Sequence, residues 1–181
     1  MLTPLLLSLL FVIPQSSAQP PPGILGQPAP SWRGVQWVQH TATNTLDIAD
    51  LSGKVVYLYF FQSWCPGYHS HGFPTLQLLI EAFQDDPEVA FVAVQTTFEG
   101  YTTNTPERAK ETAERYKLNI PIGHDGDPHT GSVLMRRYQT GGTPRAIIID
   151  PDGIVRMNHY FIEFPDAVRI INTLKNSASK E

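Results

Sequence analysis

The chain has one cysteine, Cys65, in 181 residues, so no disulfide within it can staple the fold. A thiol with no partner in its own chain is reactive, paired with another molecule, or packed as a small hydrophobe. Basic clusters are also missing, and the formal net charge is -4, which removes the usual electrostatic footprint of a nucleic-acid-binding protein. No apolar run reaches the roughly 18 residues of a membrane span. Leu5 to Ile13, broken by Ser8, is too short for one, and small residues follow it up to Ala18. That pattern reads as a secretory signal cut after Ala18. No Lys or Arg precedes the apolar core, so an uncleaved anchor is the alternative, and with no cysteine beside the cut a lipid anchor is not expected. Repeats and low-complexity tracts are absent as well.

What is there divides simply. Residues 1–18 form the signal, 19–25 an extended lead-in rich in Pro and Gly, 26–175 one domain, and 176–181 a polar tail. The domain is long enough for a substantial core. Trp32 to Val38 and Thr45 to Ile48 read as a short N-terminal hairpin, and Leu51-Ser-Gly-Lys54 turns into a buried strand over Val55 to Phe61. Leu76, Leu79, Ile80 and Phe83 then recur on one helical face. Val89 to Val94 is a second buried strand. Thr105 caps a helix that places Ala109, Ala113 and Tyr116 together. Asn119 to Ile122 reads as a short strand, and Ser132 caps a short helix through Tyr138. Ala146 to Ile149 and Ile154 to Asn158 form a hairpin around Pro151-Asp-Gly153, and a last helix starts near Pro165. This order predicts an α/β domain whose sheet is parallel in part and antiparallel at one edge.

Cys65 falls where the first buried strand gives way to the first helix. Unpaired N–H groups and the positive end of the helix dipole favour thiolate there, drawing the thiol below its usual value of about 8.5. Pro66 suits the first helical turn, where its missing N–H costs nothing.

Trp64-Cys65-Pro66-Gly67 after a buried strand, Thr143-Pro144 before a later one, and the Asp150-Pro-Asp-Gly153 hairpin together resemble the thioredoxin fold. The likeness is to the redoxin branch with TlpA-like disulfide reductases and AhpC/TSA domains, and it spans roughly Gly26 to Lys175. It implies a mixed central sheet flanked by helices, with Cys65 as the nucleophile of a Trp-Cys-x-x-Cys motif. It also implies a cis bond at Thr143-Pro144, where Thr143 offers backbone groups to an extended substrate. Trp64 and Pro66 then flank the substrate position. The family's second cysteine is replaced by Tyr68, so release of a mixed disulfide by a thiol at that place is lost. The phenol of Tyr68 could instead donate a hydrogen bond to the thiolate.

Other departures are local. Pro74 follows Cys65 by nine positions where eight is usual in the family, which predicts an extra residue or bulge within His69-Ser-His-Gly72. Tyr59 stands where thioredoxins keep a buried acid. Glu99, after the second strand, resembles a proton acceptor of some TlpA-like proteins, or is a solvated loop carboxylate. His69, one turn beyond Cys65, would favour the thiolate if protonated, or is a core-edge histidine. The peroxidase pattern is missing, since Gln62 and Leu58 occupy the positions of its Thr or Ser and its Pro.

The resemblance therefore implies an exported, periplasmic or extracellular thiol–disulfide oxidoreductase-like redoxin. Its single cysteine would exchange mixed disulfides with an external thiol, and its partners would be thiol or disulfide proteins or a low-molecular-weight thiol. No cofactor, metal, nucleic acid or membrane partner is expected after signal cleavage. The alternatives are a non-catalytic binding protein and a copper or zinc carrier using Cys65 with His69 and His71. His124-Asp125-Gly-Asp127-Pro-His129 has ligand types at close spacing, but reads as turn chemistry.

Overall fold

A computed structural model describes residues 23–39, 41, 43–64 and 66–178. The expected signal, most of the lead-in, Cys65 itself and the end of the tail lie outside the described residues. Six strands form one sheet in the order β1-β4-β3-β2-β5-β6. They are β1 (Gln36–Gln39), β2 (Val55–Phe61), β3 (Val89–Thr96), β4 (Ile122–Asp125), β5 (Arg145–Ile149) and β6 (Val155–His159). β2 runs parallel to β3, and β3 to β4, while the β1–β4, β2–β5 and β5–β6 pairs are antiparallel. The sheet is thus mixed, as the order of elements predicts.

β2 is the axis of the domain because both of its faces are apolar. Val55, Tyr57, Tyr59 and Phe61 point into one core, and Val56, Leu58 and Phe60 into the other. The first core is closed by α1 (Phe73–Ala82), α2 (Pro106–Arg115) and α4 (Phe164–Ala178), through Leu76 and Leu79, Ala109 and Ala113, and Ala167 and Ile171 respectively. The second is closed by α3 (Val133–Arg137) and by the N-terminal segment, through Leu134 and Trp32. Each large apolar side chain buried this way contributes about 1.5–3 kcal/mol. Thr105 and Ser132 accept hydrogen bonds from Arg108 N–H and Met135 N–H, capping α2 and α3 as expected.

The expected hairpin of 32–38 with 45–48 does not form, because its residues have other partners. Trp32 is buried in the second core, donating its indole N–H to Tyr138 Oη at 2.8 Å and its backbone N–H to Asp47 Oδ1 at 2.8 Å. Asp47 meanwhile caps a 3₁₀ turn over Ile48–Leu51, which removes 45–48 from any ladder. β1 pairs with β4 instead, and Gly123 admits it: a Cβ there would meet Val35 Cγ1 at 2.4 Å. The start of the domain runs along β6, with Gly26 N–H bonded to Val155 O at 2.8 Å and Val155 N–H to Gln27 O at 2.9 Å. β4 also begins where the sequence predicts its end, so His124 and Asp125 are buried strand residues rather than turn residues. Pairing of 122–125 with β3 along its parallel register overrides the local turn signal.

The extra residue between Cys65 and Pro74 becomes a π-helical turn over Tyr68–Gly72 that runs directly into α1. One inserted residue in a helix is accommodated by a single i→i+5 turn. The turn brings Gly72 against β2, where a Cβ would lie 1.6 Å from Tyr59 Oη and 2.6 Å from its Cζ. Gly72→Ala should therefore lower the urea midpoint by an amount equivalent to about 1–3 kcal/mol. Tyr59→Phe in the same chain should recover only part of the loss, because the ring edge still collides.

Candidate functional site

The chain leaves β2 through Gln62 and Ser63, and every hydrogen-bonding group of Ser63 is engaged. Its N–H donates to Asn104 Oδ1 at 2.8 Å. Its hydroxyl lies 3.1 Å from Thr112 Oγ1 and receives Gln95 Nε2 at 2.5 Å. Its carbonyl accepts from Tyr68 Oη. Asn104 also donates to Gln62 Oε1 at 3.3 Å, and His124 Nδ1 lies 2.7 Å from Gln95 Oε1. Residues from β3, β4, the loop before α2 and α2 itself thus converge on the end of the central strand. Gln62, Gln95 and Asn104 are almost fully buried, where an unpaired polar group would cost about 1–3 kcal/mol.

On the far side of Cys65 in the chain, Tyr68 is buried and packed edge-on to Phe73, with ring centroids 5.0 Å apart. Its one phenolic proton goes to the Ser63 carbonyl, so the phenol oxygen must accept from His69 Nε2–H, 2.6 Å away. In the neutral ring His69 Nδ1 then accepts from the Tyr116 hydroxyl. Burial, reinforced by the charge of Arg115, holds the His69 pKa below its ordinary value. With both ring nitrogens bonded to tyrosine hydroxyls, His69 sits as the core-edge histidine that is the alternative to a protonated partner of Cys65.

Thr143-Pro144 has the expected cis peptide bond. The loop is drawn to the end of β2 by the β2–β5 register, Phe60 opposite Arg145, and by Gln62 Nε2, which approaches Thr143 Oγ1 at 3.5 Å. Pro144 is buried and Thr143 half-buried. Trp64 is exposed and Pro66 exposed at the start of the helical run. A Cβ on Gly100 would stand 3.7 Å from the Trp64 indole, which places that ring beside the 98–104 loop. Glu99 lies in the same loop with an exposed side chain, and only its backbone carbonyl is tied, to Asn104 Nδ2 at 3.1 Å. The residues on either side of position 65 therefore meet two loops: Gln62 approaches Thr143, and Trp64 lies beside the 98–104 loop.

A family model, the AhpC/TSA family, matches residues 25–158. The chain belongs to the AhpC/TSA family. Among solved structures, a thioredoxin-like superfamily protein is 33% identical over 82% of this chain and 96% of its own, with a TM-score of 0.73. A thiol-disulfide isomerase from Corynebacterium glutamicum is 28% identical over 81% of this chain and 96% of its own, TM-score 0.71. A secreted Mycobacterium tuberculosis disulfide oxidoreductase, 22% identical over 71% of this chain and 88% of its own, shares the fold with a TM-score of 0.56. Among curated proteins none matches. The chain is a redoxin of thioredoxin fold.

Two clefts flank the turn of this redoxin. One, of about 250 Å³, is apolar and lies between Tyr59, His71, Ala146, Tyr160 and Phe161. The other, of about 370 Å³, is polar and lies between Ser63, His69 and α2. His71 stacks edge-on to Phe161 and faces the first, while His69 faces the second, so the two histidines are not aimed at a common ligand. The 124–129 cluster is likewise committed to structure. Asp125 accepts from Ser132 Oγ and from Leu134 N–H at 2.8 Å, and Asp127 accepts from His129 N–H at 2.9 Å. Among the described residues no three His, Cys, Asp or Glu side chains are grouped to hold a metal, and no helix is long and apolar enough to cross a membrane. Ser63, Gln95, Asn104, Thr112 and Tyr116 were not legible as site residues. Their only signal is that polar residues follow directly on buried strands, as in Gln62-Ser63 and Gln95-Thr96-Thr97.

His124 is also held below its ordinary pKa, by burial that outweighs the pull of Asp125 and Glu107. Both histidines are thus neutral in the fold, and unfolding lets them take up protons near pH 6.5. Their contribution to stability is complete above about pH 6.5 and is lost as pH falls through the lower folded values. Urea unfolding at about pH 7.5 and 5.5 should show this loss, and His69→Gln with His124→Gln should shrink it.

Proposed function

We propose that this redoxin carries out thiol–disulfide exchange through Cys65, with an external thiol replacing the second cysteine. The observation that carries the reading is the loop at the cis bond Thr143-Pro144, held against the end of β2 by Gln62, which precedes Cys65 by three positions in the chain. That edge offers backbone groups to an extended partner chain beside the nucleophile, a mode of recognition in which main-chain bonds supply affinity. Trp64 and Pro66 border the same partner position, and Glu99, exposed in the loop beside Trp64, is the candidate proton acceptor. The thiol-disulfide isomerase among its structural relatives, 28% identical, supports this chemistry.

The cycle balances without a second cysteine. The Cys65 thiolate attacks the small-thiol sulfur of a partner's mixed disulfide. That bond breaks, the partner leaves as thiolate, and Cys65 is joined to the small thiol. A second small thiolate attacks that sulfur, releasing the small disulfide and restoring the Cys65 thiolate. The partner leaves as a thiol, one free small thiol is oxidised, and the small thiol the partner carried ends in the small disulfide. The apolar run Leu5 to Ile13, followed by small residues up to Ala18, supports an envelope or secreted setting for this cycle.

A second reading, a binder that keeps partners on Cys65, is favoured by the fixed position of Tyr68, whose hydroxyl is built into the Ser63–His69 chain. Turnover separates the two. The mature chain should reduce a glutathionylated peptide at a rate that rises with added glutathione, and Cys65→Ser should abolish it. A trapped mixed disulfide with no turnover identifies the binder, and unchanged turnover in Cys65→Ser overturns both readings. Tyr68→Cys adds a second sulfur but empties an aromatic site, so a stability loss of about 3–5 kcal/mol in denaturant titration should accompany any gain in exchange.

A further inference from the structure

The polar cleft beside the turn has the chemistry of an anion site. Arg108, Thr112 and Arg115 share one face of α2 at i, i+4 and i+7 and form its outer wall, with Ser63 and His69 opposite. The two guanidiniums are not equivalent. Arg108 is paired with Glu111 at 2.7 Å, whereas Arg115 has no carboxylate partner among the described residues and lies 5.8 Å from the Tyr116 ring centroid. With His69 neutral, two guanidiniums against one carboxylate leave a surplus positive charge at the Arg115 end. The hydroxyls of Ser63 and Thr112 meet each other within the same cleft, 3.1 Å apart, and Thr112 donates to the Arg108 carbonyl at 2.7 Å, so both are committed to the protein and the charge carries the site.

We propose that this cleft binds the carboxylate of a small thiol or of its disulfide, with Arg115 as the anchor. A planar guanidinium matches a carboxylate in two parallel hydrogen bonds, and one surplus charge suits a monoanion better than a phosphate dianion facing Glu111. The choice of a thiol rests on the exchange reading of Cys65. Ser63 and Tyr68, which line the cleft, flank that residue by two and three positions in the chain. The cleft thereby names the class of the external thiol: low-molecular-weight and carboxylate-bearing.

The test uses S-methylglutathione, which carries the carboxylates but cannot exchange, against the full mature chain. Nuclear magnetic resonance titration should give saturable shifts confined to residues 63–69 and 103–115. The His69 midpoint should rise on binding, because the bound anion offsets the Arg115 charge. Arg115→Gln should weaken binding by about tenfold, added salt should weaken it too, and Arg115→Lys should keep part of it. The cationic thioether 2-(methylthio)ethylamine should not bind. Absence of saturable shifts, equal binding of the cation, or indifference to Arg115→Gln each overturn the site. Equally tight binding of acetate would leave an anion site but overturn its assignment to a thiol. The readouts involve no exchange, so binding without turnover removes only the exchange reading, and turnover without Arg115 dependence removes only the site.

Discussion

Ser63 is where this fold and its site meet. A single residue at the end of the central strand uses its N–H, its hydroxyl and its carbonyl to join Asn104, Gln95, Thr112 and Tyr68. Those four come from separate parts of the chain, so the exit path of the backbone from β2 is defined by long-range bonds rather than by the tripeptide Ser63-Trp64-Cys65. In a buried setting such a network is worth most when every member is satisfied, since any partner left alone costs its full desolvation. The chain on either side of position 65 is thus anchored, to β2 through Ser63 and to the turn through Tyr68.

The π turn is the other half of that arrangement. One residue more than the usual spacing lies between Cys65 and Pro74, and the helix absorbs it without breaking. The consequence is specific: Gly72 is pressed onto Tyr59, and Tyr68 is carried inward onto Phe61 and Phe73. His69, next in line, is stacked at 4.0 Å on Tyr68 and bonded to Tyr116, which ties the turn to the end of α2. Its neutrality follows from this enclosure and from Arg115, not from its distance along the helix to Cys65.

Much of this was legible in the residues themselves. An all-apolar run such as 55–61 can only be a strand buried on both faces, and Thr105-Pro106-Glu107 can scarcely be other than a helix start. The displaced Pro74 announced the bulge. Reading failed where a distant partner outbid a local signal. The 32–38 and 45–48 segments have the alternation of a hairpin, yet Trp32 is worth more in the second core and Asp47 as a cap. His124-Asp125-Gly126 has turn composition, yet the vacant edge of β3 recruits it as a strand. The network around Ser63 was invisible because its bonds span 32, 41 and 49 positions, and no spacing rule reaches so far.

Tyr68 shows why the missing second cysteine is not a point change. A thiol at that position would be small; the phenol fills a slot between two phenylalanines and closes a hydrogen-bonded path from Ser63 to Tyr116. Restoring sulfur there removes a ring's worth of packing and leaves the Ser63 carbonyl and His69 Nε2 to find other partners. The neighbouring core has adapted to the larger side chain through the π turn and through Gly72, so the cost falls on several residues at once and is not additive. In the exchange proposed for Cys65, no second cysteine of this chain competes for the mixed disulfide. Its fate is then set by whichever thiol can enter from outside, which makes the charge and shape of the cleft along α2 the natural place for selectivity to reside.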